Sequence, residues 1–446
     1  MIPLEKKAYI QTFGCQMNDH DSHWMGEILS KEGYALSETI ESADLIIVNT
    51  CSVRENAENK VYSLLGRLKI FKEKNKELII GVGGCVAQQE GKTILKRVKA
   101  VDMVFGTDNF FRLPEMLQKV EKGERVLLTS WMPREQKVQN FIPEEELNEV
   151  RTEGPKGLVA ITKGCDNYCT FCIVPETRGP LVSREPENIL QEIKNLIDGG
   201  IKEVLLLGQN VNSYRAGSTG FLELLQSVAN LKGLKRLRFT SPHPNDWNSD
   251  LTELIANHPV ICNQIHLPFQ SGSDSILSDM KRGHTIQRYL EQIGILKEKI
   301  PDIAISTDII VGFPGETDSD FKKTLDVIRE VRFNQIYAFK FSVRPGTKAS
   351  KMIDDVSTET KEKRLDQLLK LYYKIQSEHL DHLVDTEQEV LIDFAHPRER
   401  HAMNGRTEGN FAVTIPDSDL QIGDLINLKI IGRKEHSLVG QVIGVN

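Results

Sequence analysis

Ten short apolar runs, each followed by a polar stretch of helical character, constrain what this 446-residue chain can fold into. Four come early, AYIQTFG, ADLIIVNT, ELIIGVGG and DMVFG, between residues 8 and 106. Strands interleaved with helices argue for a parallel sheet in an open α/β domain. Six more, GLVAIT, EVLLLG, RLRFTS, QIHLPF, IAISTDIIVG and QIYAFKFS, run from residue 157 to 342 and suggest a partial (βα)6 barrel of the TIM kind. The polar, acidic stretch 133–156 between the two sets, punctuated by Pro and Gly, reads as a linker. A charged helical pattern over 358–383 closes the second set, and beyond it β-rich runs broken by Gly, Asn and Asp turns predict a small all-β barrel. The expected domains are 1–132, 157–383 and 384–446.

With 39% hydrophobic and 27% charged residues the composition is that of an ordinary soluble protein. A net charge of −7 offers no global attraction for a polyanion, so a nucleic-acid role would need local patches. The opening MIPLEKKAYIQTFG lacks the apolar core of a signal peptide, and no run of about 18 apolar residues occurs. A cytoplasmic protein without a membrane partner is expected. In a reducing cytosol seven cysteines, an odd number, are better explained by metal binding or catalysis than by disulfides.

Cys165, Cys169 and Cys172 stand in a C-x3-C-x2-C spacing at the exit of the first strand of the second set. Thiolates are soft ligands, and three so close together can hold one 4Fe-4S cube with an iron left open to an exogenous ligand. Zinc is the rival, but it asks for a fourth Cys or His, and no His lies between His23 and His243. Cys15, Cys51 and Cys85 are far apart in sequence, yet each follows an apolar run. Side chains just past the carboxyl ends of parallel strands gather on one sheet edge, so these three can converge on a second cluster. A small buried hydrophobe is the competing fate of each alone, and it is the reading for Cys262, which has no partner cysteine. His20 and His23, on a polar helix start, read as solvated. The glycines of GVGGC and VGFPG lack the full spacing of a phosphate loop and read as tight turns.

The C-x3-C-x2-C loop at the head of a six-unit barrel resembles that of the radical S-adenosylmethionine enzymes. With GCQMNDHDS, NTCSVRE, GGCVAQ, RFTSPHP, PFQSGSD and TDIIVGFPGET also present, the whole chain is similar to the methylthiotransferase family. That family has an N-terminal three-cysteine domain, a radical barrel and a C-terminal TRAM domain. NTCSVRE and CTFCIVP bring the chain nearest the branch acting on N6-isopentenyladenosine at position 37 of the tRNA anticodon loop. The branches acting on threonylcarbamoyl-adenosine or on a ribosomal-protein aspartate remain alternatives, as does a zinc-binding RNA-binding module without catalysis. Glu176 departs from the pattern, standing where relatives often carry an aromatic residue after IVP.

The resemblance implies that Cys165, Cys169 and Cys172 hold the cluster that cleaves S-adenosylmethionine reductively to methionine and a 5'-deoxyadenosyl radical. It implies that Cys15, Cys51 and Cys85 hold an auxiliary 4Fe-4S cluster, whose sulfur is methylated and then inserted at adenine carbon 2. Two S-adenosylmethionine molecules per product and an electron-donor protein of flavodoxin or ferredoxin type follow. A monomer is expected, and no catalytic side chain beyond the cluster ligands is assigned. Barrel sites form at the carboxyl ends of strands, which nominates Gln209, Asn210, His243, Gln270, Ser271, Asp308 and Phe313, with Phe171 of the cysteine loop, as contacts to S-adenosylmethionine. Turn or cap roles stay open for Ser271 and Asp308, as does shielding the cluster for Phe171.

From Val384 onward six Lys or Arg face ten Asp or Glu, a balance of −4 and the wrong sign for a generic RNA binder. Single-stranded RNA, however, needs a local cationic track and stacking faces more than global charge. Arg398, Arg400 and Arg406 fall in one loop region and Arg433 and Lys434 in another. The TRAM-like GRTEGN adds Asn410, and these are the expected RNA contacts.

Overall fold

The computed structural model describes residues 6–52, 57–139, 141–143, 154–416 and 418–443. The first elements are β1 (Lys6–Thr12), α1 (Gln16–Lys31), β2 (Tyr34–Leu36), β3 (Leu45–Thr50), α2 (Ala57–Lys74), β4 (Ile79–Gly84), α3 (Cys85–Arg97), β5 (Met103–Phe105), α4 (Leu113–Glu121), β6 (Val126–Leu128) and α5 (Arg134–Gln139). Next come β7 (Lys156–Ala160), β8 (Thr162–Lys163), α6 (Val174–Arg178), β9 (Val182–Ser183), α7 (Pro186–Asp198), β10 (Glu203–Leu207), β11 (Arg215–Ala216), β12 (Thr219–Gly220), α8 (Phe221–Ala229), β13 (Arg236–Phe239) and α9 (Ser249–Asn257). The last are β14 (Gln264–His266), α10 (Asp274–Asp279), α11 (Ile286–Lys299), β15 (Ala304–Val311), α12 (Asp318–Val331), β16 (Gln335–Lys340), α13 (Thr358–Leu383), β17 (Glu387–Ala395), β18 (Met403–Thr407), β19 (Ala412–Ile415), β20 (Leu425–Arg433) and β21 (Leu438–Val442). Asn248, Thr285, Thr317 and Ser357 start α9, α11, α12 and α13 by accepting a backbone N–H on the side-chain oxygen.

The chain packs as two units, one of Met1–Val150, Thr162–Asp166 and Cys172–Glu185, the other of Arg151–Ile161, Asn167–Phe171 and Pro186–Asn446. The division expected near residue 157 is thus not a single cut, because β8, α6 and β9 pack with the first unit. The expected linker also needs correction. It contains α5, and Phe141 and Ile142 behind that helix are buried; residues 144–153 lie outside the described residues.

In the first unit six strands form a parallel sheet in the order β2-β1-β3-β4-β5-β6. β3 and β4 are buried along their whole length, as parallel strands covered on both faces must be. Ile46, Val48, Ile80 and Val82 share one core with Val61, Leu64, Leu65 and Leu68 of α2 and Val86 and Ile94 of α3. β2 and β6 have three residues each, too short for a periodic signal. Gly81 and Gly83 lie inside β4 rather than in a turn, and a Cβ at Gly83 would stand 2.4 Å from the Phe105 ring.

In the second unit β7, β10 and β13 pair in parallel, as do β14, β15 and β16, and a bridge between Leu237 and Ile261 joins the two sets. This is the expected partial (βα)6 barrel. The C-terminal strands close as β17-β18-β19-β21-β20 around Val390, Ile392, Val413, Leu428, Ile430 and Leu438. Two buried arginines of β13 dock this small barrel. Arg238 lies 3.0 Å from the Glu203 carboxylate and donates to the carbonyls of Glu408 (2.7 Å) and Thr407 (3.1 Å). Arg236 donates to the carbonyls of Arg406 (2.9 Å) and Glu389 (2.8 Å).

Arg238→Ala removes both carbonyl contacts and strips the buried Glu203 of its nearest cation. Breaking one side of a buried pair costs about 3–5 kcal/mol. Urea unfolding of the full-length variant should register a loss in that range, and a loss below about 1 kcal/mol would contradict the docking role.

Candidate functional site

Three cysteines stand where the sheet of the first unit ends. Cys15 follows β1, Cys51 follows β3 and Cys85 follows β4, and these strands are neighbours in the sheet. Buried polar side chains at the strand ends fix the three loops. Asn18 Nδ2 donates to the carbonyls of Phe13 and Thr50, both at 2.9 Å, and Asn49 Nδ2 donates to Asn18 O and Ser22 Oγ, both at 2.9 Å. Thr50 Oγ1 donates to Gly83 O at 2.6 Å and accepts from the N–H groups of Val86 and Ala87 at 3.1 and 3.2 Å. It thereby caps α3, whose first residue is Cys85. Two glycines permit the close approach. Gly14 has φ +119°, and a Cβ there would stand 2.1 Å from Cys51 Cβ; Gly84 has φ +90°, and a Cβ there would stand 2.3 Å from Thr50 O.

A hydrogen bond from the Cys51 thiol, aided by the Arg178 charge, brings the Cys15 thiol down to about 6 against the opposing effect of burial. The shift favours the Cys15 thiolate, the form that binds metal. Arg178 ends α6 and is buried, with Nη2 donating to Asn18 Oδ1 and Asp21 Oδ2, each at 2.9 Å. Burial works against its charge, but Asp21, Cys85 and Cys15 more than offset that and hold the Arg178 pKa above its ordinary value. Burial likewise opposes ionisation of Asp21, yet Arg178 holds this carboxyl at about 2. Lys163 lies over the rings of Phe110, Phe111 and Phe141, and its enclosure pushes the ammonium down to about 8. Thr107 Oγ1 donates to Thr177 O at 2.7 Å and Cys165 N to Gly179 O at 3.2 Å. The segments carrying Cys165 and Cys172 are in this way fastened to the unit that carries Cys15, Cys51 and Cys85. His20 is a correction, since it is buried and accepts from Trp24 Nε1 at 3.2 Å; His23 is partly buried with its ring edge-on to Trp24. Cys262 is buried as expected, and burial pushes its thiol up to about 12.

Among the described residues no three His, Cys, Asp or Glu side chains group as ligands of a single ion. What fits an iron-sulfur cube is the donor set, thiols at three adjacent strand ends with a buried cation beside them to balance thiolate charge.

Of the C-x3-C-x2-C cysteines, Cys169 belongs to the second unit. Its neighbour Thr170 is pinned by N–H to Met280 O (3.0 Å) and by Oγ1 to Asp279 O (2.8 Å), and its carbonyl accepts from Ala349 N (2.8 Å). Arg282 Nη1 lies 3.6 Å from Cys169 Sγ. Phe171 packs on the core of Ile276, Met280, Phe313 and Phe341. Phe313, nominated as a cofactor contact, is corrected to a core residue: it is fully buried and edge-on to Phe341 at 5.2 Å. Ser271 is also fully buried and accepts from Ser273 N at 3.3 Å, which is the turn role. Asp308 is partly exposed, 3.5 Å from His266, and Gln209 is partly buried beyond β10. Asn210 donates to Asp246 at 2.9 Å. Asn210 Oδ1, His243 Nε2, Gln270 Oε1 and both ring nitrogens of His284 are buried without a hydrogen-bond partner. Such atoms are costly unless something bonds them, so they mark the carboxyl ends of β10, β13 and β14 as a ligand site.

On the small barrel Arg398 and Arg400 are exposed in the β17–β18 connection. Arg406 is corrected from a loop to a strand residue of β18, and the GRTEGN stretch serves docking: its carbonyls receive Arg236 and Arg238, and Glu408 accepts from Asn263 N at 2.8 Å. Asn410 takes a left-handed turn, φ +66°, and its carbonyl accepts from Arg406 Nη1. Arg433 pairs with Asp381 at 2.6 Å and Lys434 with Glu399 at 3.1 Å. Sequence reasoning missed Arg178, Asp21, Arg282, His284 and the exposed Phe394 of β17, because only folding gives them their neighbours.

Residues 7–106 match the model of an uncharacterized protein family, UPF0004, and residues 159–328 match that of the radical SAM superfamily. The chain is 43% identical over 446 residues to the tRNA-2-methylthio-N(6)-dimethylallyladenosine synthase of Alteromonas mediterranea, covering 99% of this chain and 92% of that protein. It is 44% identical over 443 residues to the protein of that name in Yersinia enterocolitica, covering 98% and 92%. Among solved structures it is similar to a radical S-adenosylmethionine methyltransferase of Kitasatospora setae, with TM-score 0.58, 14% identity and coverage of 77% and 74%. A cobalamin-dependent S-adenosylmethionine radical enzyme gives TM-score 0.53, 14% identity and coverage of 83% and 58%. At such identity these two show the fold alone.

The Asp21 carboxyl, held at about 2 in the folded chain, titrates near 3.9 when unfolded. Its stabilising contribution is complete above about pH 4 and is lost as pH falls from there towards 2, on the order of 2–3 kcal/mol in all. Urea unfolding should show the chain and its Asp21→Asn variant converging in stability across that window, and a gap that stays constant down to pH 2 refutes the assignment.

Proposed function

The chain belongs to the tRNA-2-methylthio-N(6)-dimethylallyladenosine synthase family, and we propose that it converts N6-isopentenyladenosine at position 37 of tRNA to its 2-methylthio derivative using two 4Fe-4S clusters, one on Cys165, Cys169 and Cys172 and one on Cys15, Cys51 and Cys85. It is a radical S-adenosylmethionine enzyme, similar to that superfamily over residues 159–328. The observation that carries the reading is the gathering of Cys15, Cys51 and Cys85 at adjacent strand ends around Arg178. When bound, S-adenosylmethionine and the clusters supply the radical chemistry and the transferred sulfur.

The chain's own residues bind, orient and exclude water. Arg178 balances thiolate charge, while Asn18, Asn49 and Thr50 hold the strand-end loops rigid. Asn210, His243, Gln270 and His284 offer buried polar atoms to S-adenosylmethionine or to the adenine. The small barrel acts as a TRAM-type tRNA-binding domain, with Arg398 and Arg400 meeting phosphate and Phe394 giving a stacking face. Arg433 and Lys434 can join them, because exposed ion pairs of the kind they form are worth only about 0–1 kcal/mol. A flavodoxin- or ferredoxin-type donor supplies electrons, and the protein works as a monomer in the cytoplasm. Among the described residues no helix is long and apolar enough to cross a membrane.

Anaerobically prepared protein should carry about eight irons, and replacing either cysteine triad with Ala should leave about four. In cells lacking the gene, mass spectrometry of tRNA nucleosides should show 2-methylthio-N6-isopentenyladenosine replaced by its precursor; an unchanged level would overturn the substrate assignment. For anticodon stem-loop binding, Arg398→Ala and Arg400→Ala should each lower the salt slope by about 1, and an unaltered slope would remove them from the RNA contacts.

A further inference from the structure

Arg282 is buried, yet among the described residues no carboxylate lies within ion-pair distance of it. Its Nη2 donates to Pro268 O at 2.8 Å, its Nε has no partner, and its Nη1 reaches Cys169 Sγ at 3.6 Å. An uncompensated buried cation is costly. The nearby imidazoles of His243 and His284, with ring centres 6.0 Å apart, offer no negative charge. Burial first, and then the Arg282 charge, hold them at about 2 and about 4, so both are neutral. Among the described residues, the atom in contact that becomes anionic is the Cys169 sulfur, once it binds iron.

The contact is built from both sides. Thr170 is fixed to the carbonyls of Asp279 and Met280 at the end of α10, and Arg282 N donates to Leu277 O at 2.9 Å on the same helix. The Pro268 carbonyl, just beyond β14, aims the guanidinium. Sulfur and guanidinium are thus anchored to one short piece of backbone.

We propose that Arg282 is a positioning residue that donates a charged hydrogen bond to the Cys169 thiolate and thereby raises the reduction potential of the cluster on Cys165, Cys169 and Cys172. Reduction adds one electron, from a low-potential one-electron donor, and makes the cluster one charge more negative with no proton taken up. A fixed positive charge on a ligand sulfur favours the reduced state over the oxidised one, since net charge and hydrogen bonds to sulfur set such potentials. The inference rests on the ligand assignment above.

The test uses full-length protein in which Cys15, Cys51 and Cys85 are replaced by Ala, so that one cluster remains, titrated potentiometrically and read by electron paramagnetic resonance. Arg282→Gln should lower the reduced-to-oxidised ratio at fixed potential at least tenfold, equivalent to about 59 mV for one electron. Arg282→Lys, which keeps the charge, should fall between. A Gln variant that retains its iron and titrates like the parent overturns the proposal. Should the Gln variant fail to hold iron, the parent labelled with 15N in the arginine guanidinium decides: a 15N hyperfine coupling to the reduced cluster upholds the contact, and its absence overturns it. Loss of all iron from the parent background itself would instead sink the ligand assignment, and the inference with it.

Discussion

The buried Arg178–Asp21 pair is the interaction on which the first unit depends. Arg178 sits at the end of α6, which the chain enters after Cys172, while Asp21 and Asn18 lie on α1, which the chain enters after Cys15. One guanidinium therefore fastens the segment leaving the C-x3-C-x2-C loop to the helix leaving the first strand, and brings its charge to Cys15 and Cys85. Ion pairs buried like this seldom add net stability over an apolar pair of the same size. Their use here is electrostatic, since the pair sets a fixed cation beside the thiols of Cys15 and Cys85.

The parallel architecture and the placement of Cys15, Cys51 and Cys85 at the ends of neighbouring strands were legible in the sequence because both follow from period. A fully buried parallel strand is a continuous apolar run, and the residue just beyond it must appear at the carboxyl edge. What lay beyond reading was decided by tertiary contact. α5 and Phe141 sit in a stretch whose composition looks like a linker, yet Phe141 supplies one of the rings that enclose Lys163. His20 occupies a polar helix start but faces Trp24. Phe313 lies just beyond β15 of the barrel, where site residues gather, and is drawn into the core by Phe341 and Met280 instead.

The net charge of the small barrel is a poor measure of the charge it offers a partner. Its balance of −4 argued against RNA, and the motif most suggestive of RNA, GRTEGN, turns its carbonyls and Glu408 to the β13 arginines and the Asn263 N–H. Acidic residues there partly serve internal pairing, as Asp393 does with Lys156 at 2.8 Å and Glu389 with Arg236 at 3.0 Å. Once those are neutralised within the unit, the charge offered to a partner is set by what remains exposed, and Arg398 and Arg400 weigh more than the total.

Arg178 and Arg282 follow one rule with opposite counter-charges. Each is buried and each has a nitrogen without a partner, Nη1 in Arg178 and Nε in Arg282. Arg178 carries its own carboxylate, so its charge is shared between Asp21 and the thiols of Cys85 and Cys15. Arg282 has none, so the Cys169 thiolate is its main compensation. A cluster that must accept an electron benefits from an unbalanced cation, whereas a cluster whose sulfur is to be methylated needs its ligands held without drawing electron density away from that sulfur. The difference between the two arginines fits the different tasks proposed for the two cysteine triads, and among the described residues it lies in one acidic residue, Asp21, which pairs with Arg178 and has no counterpart at Arg282.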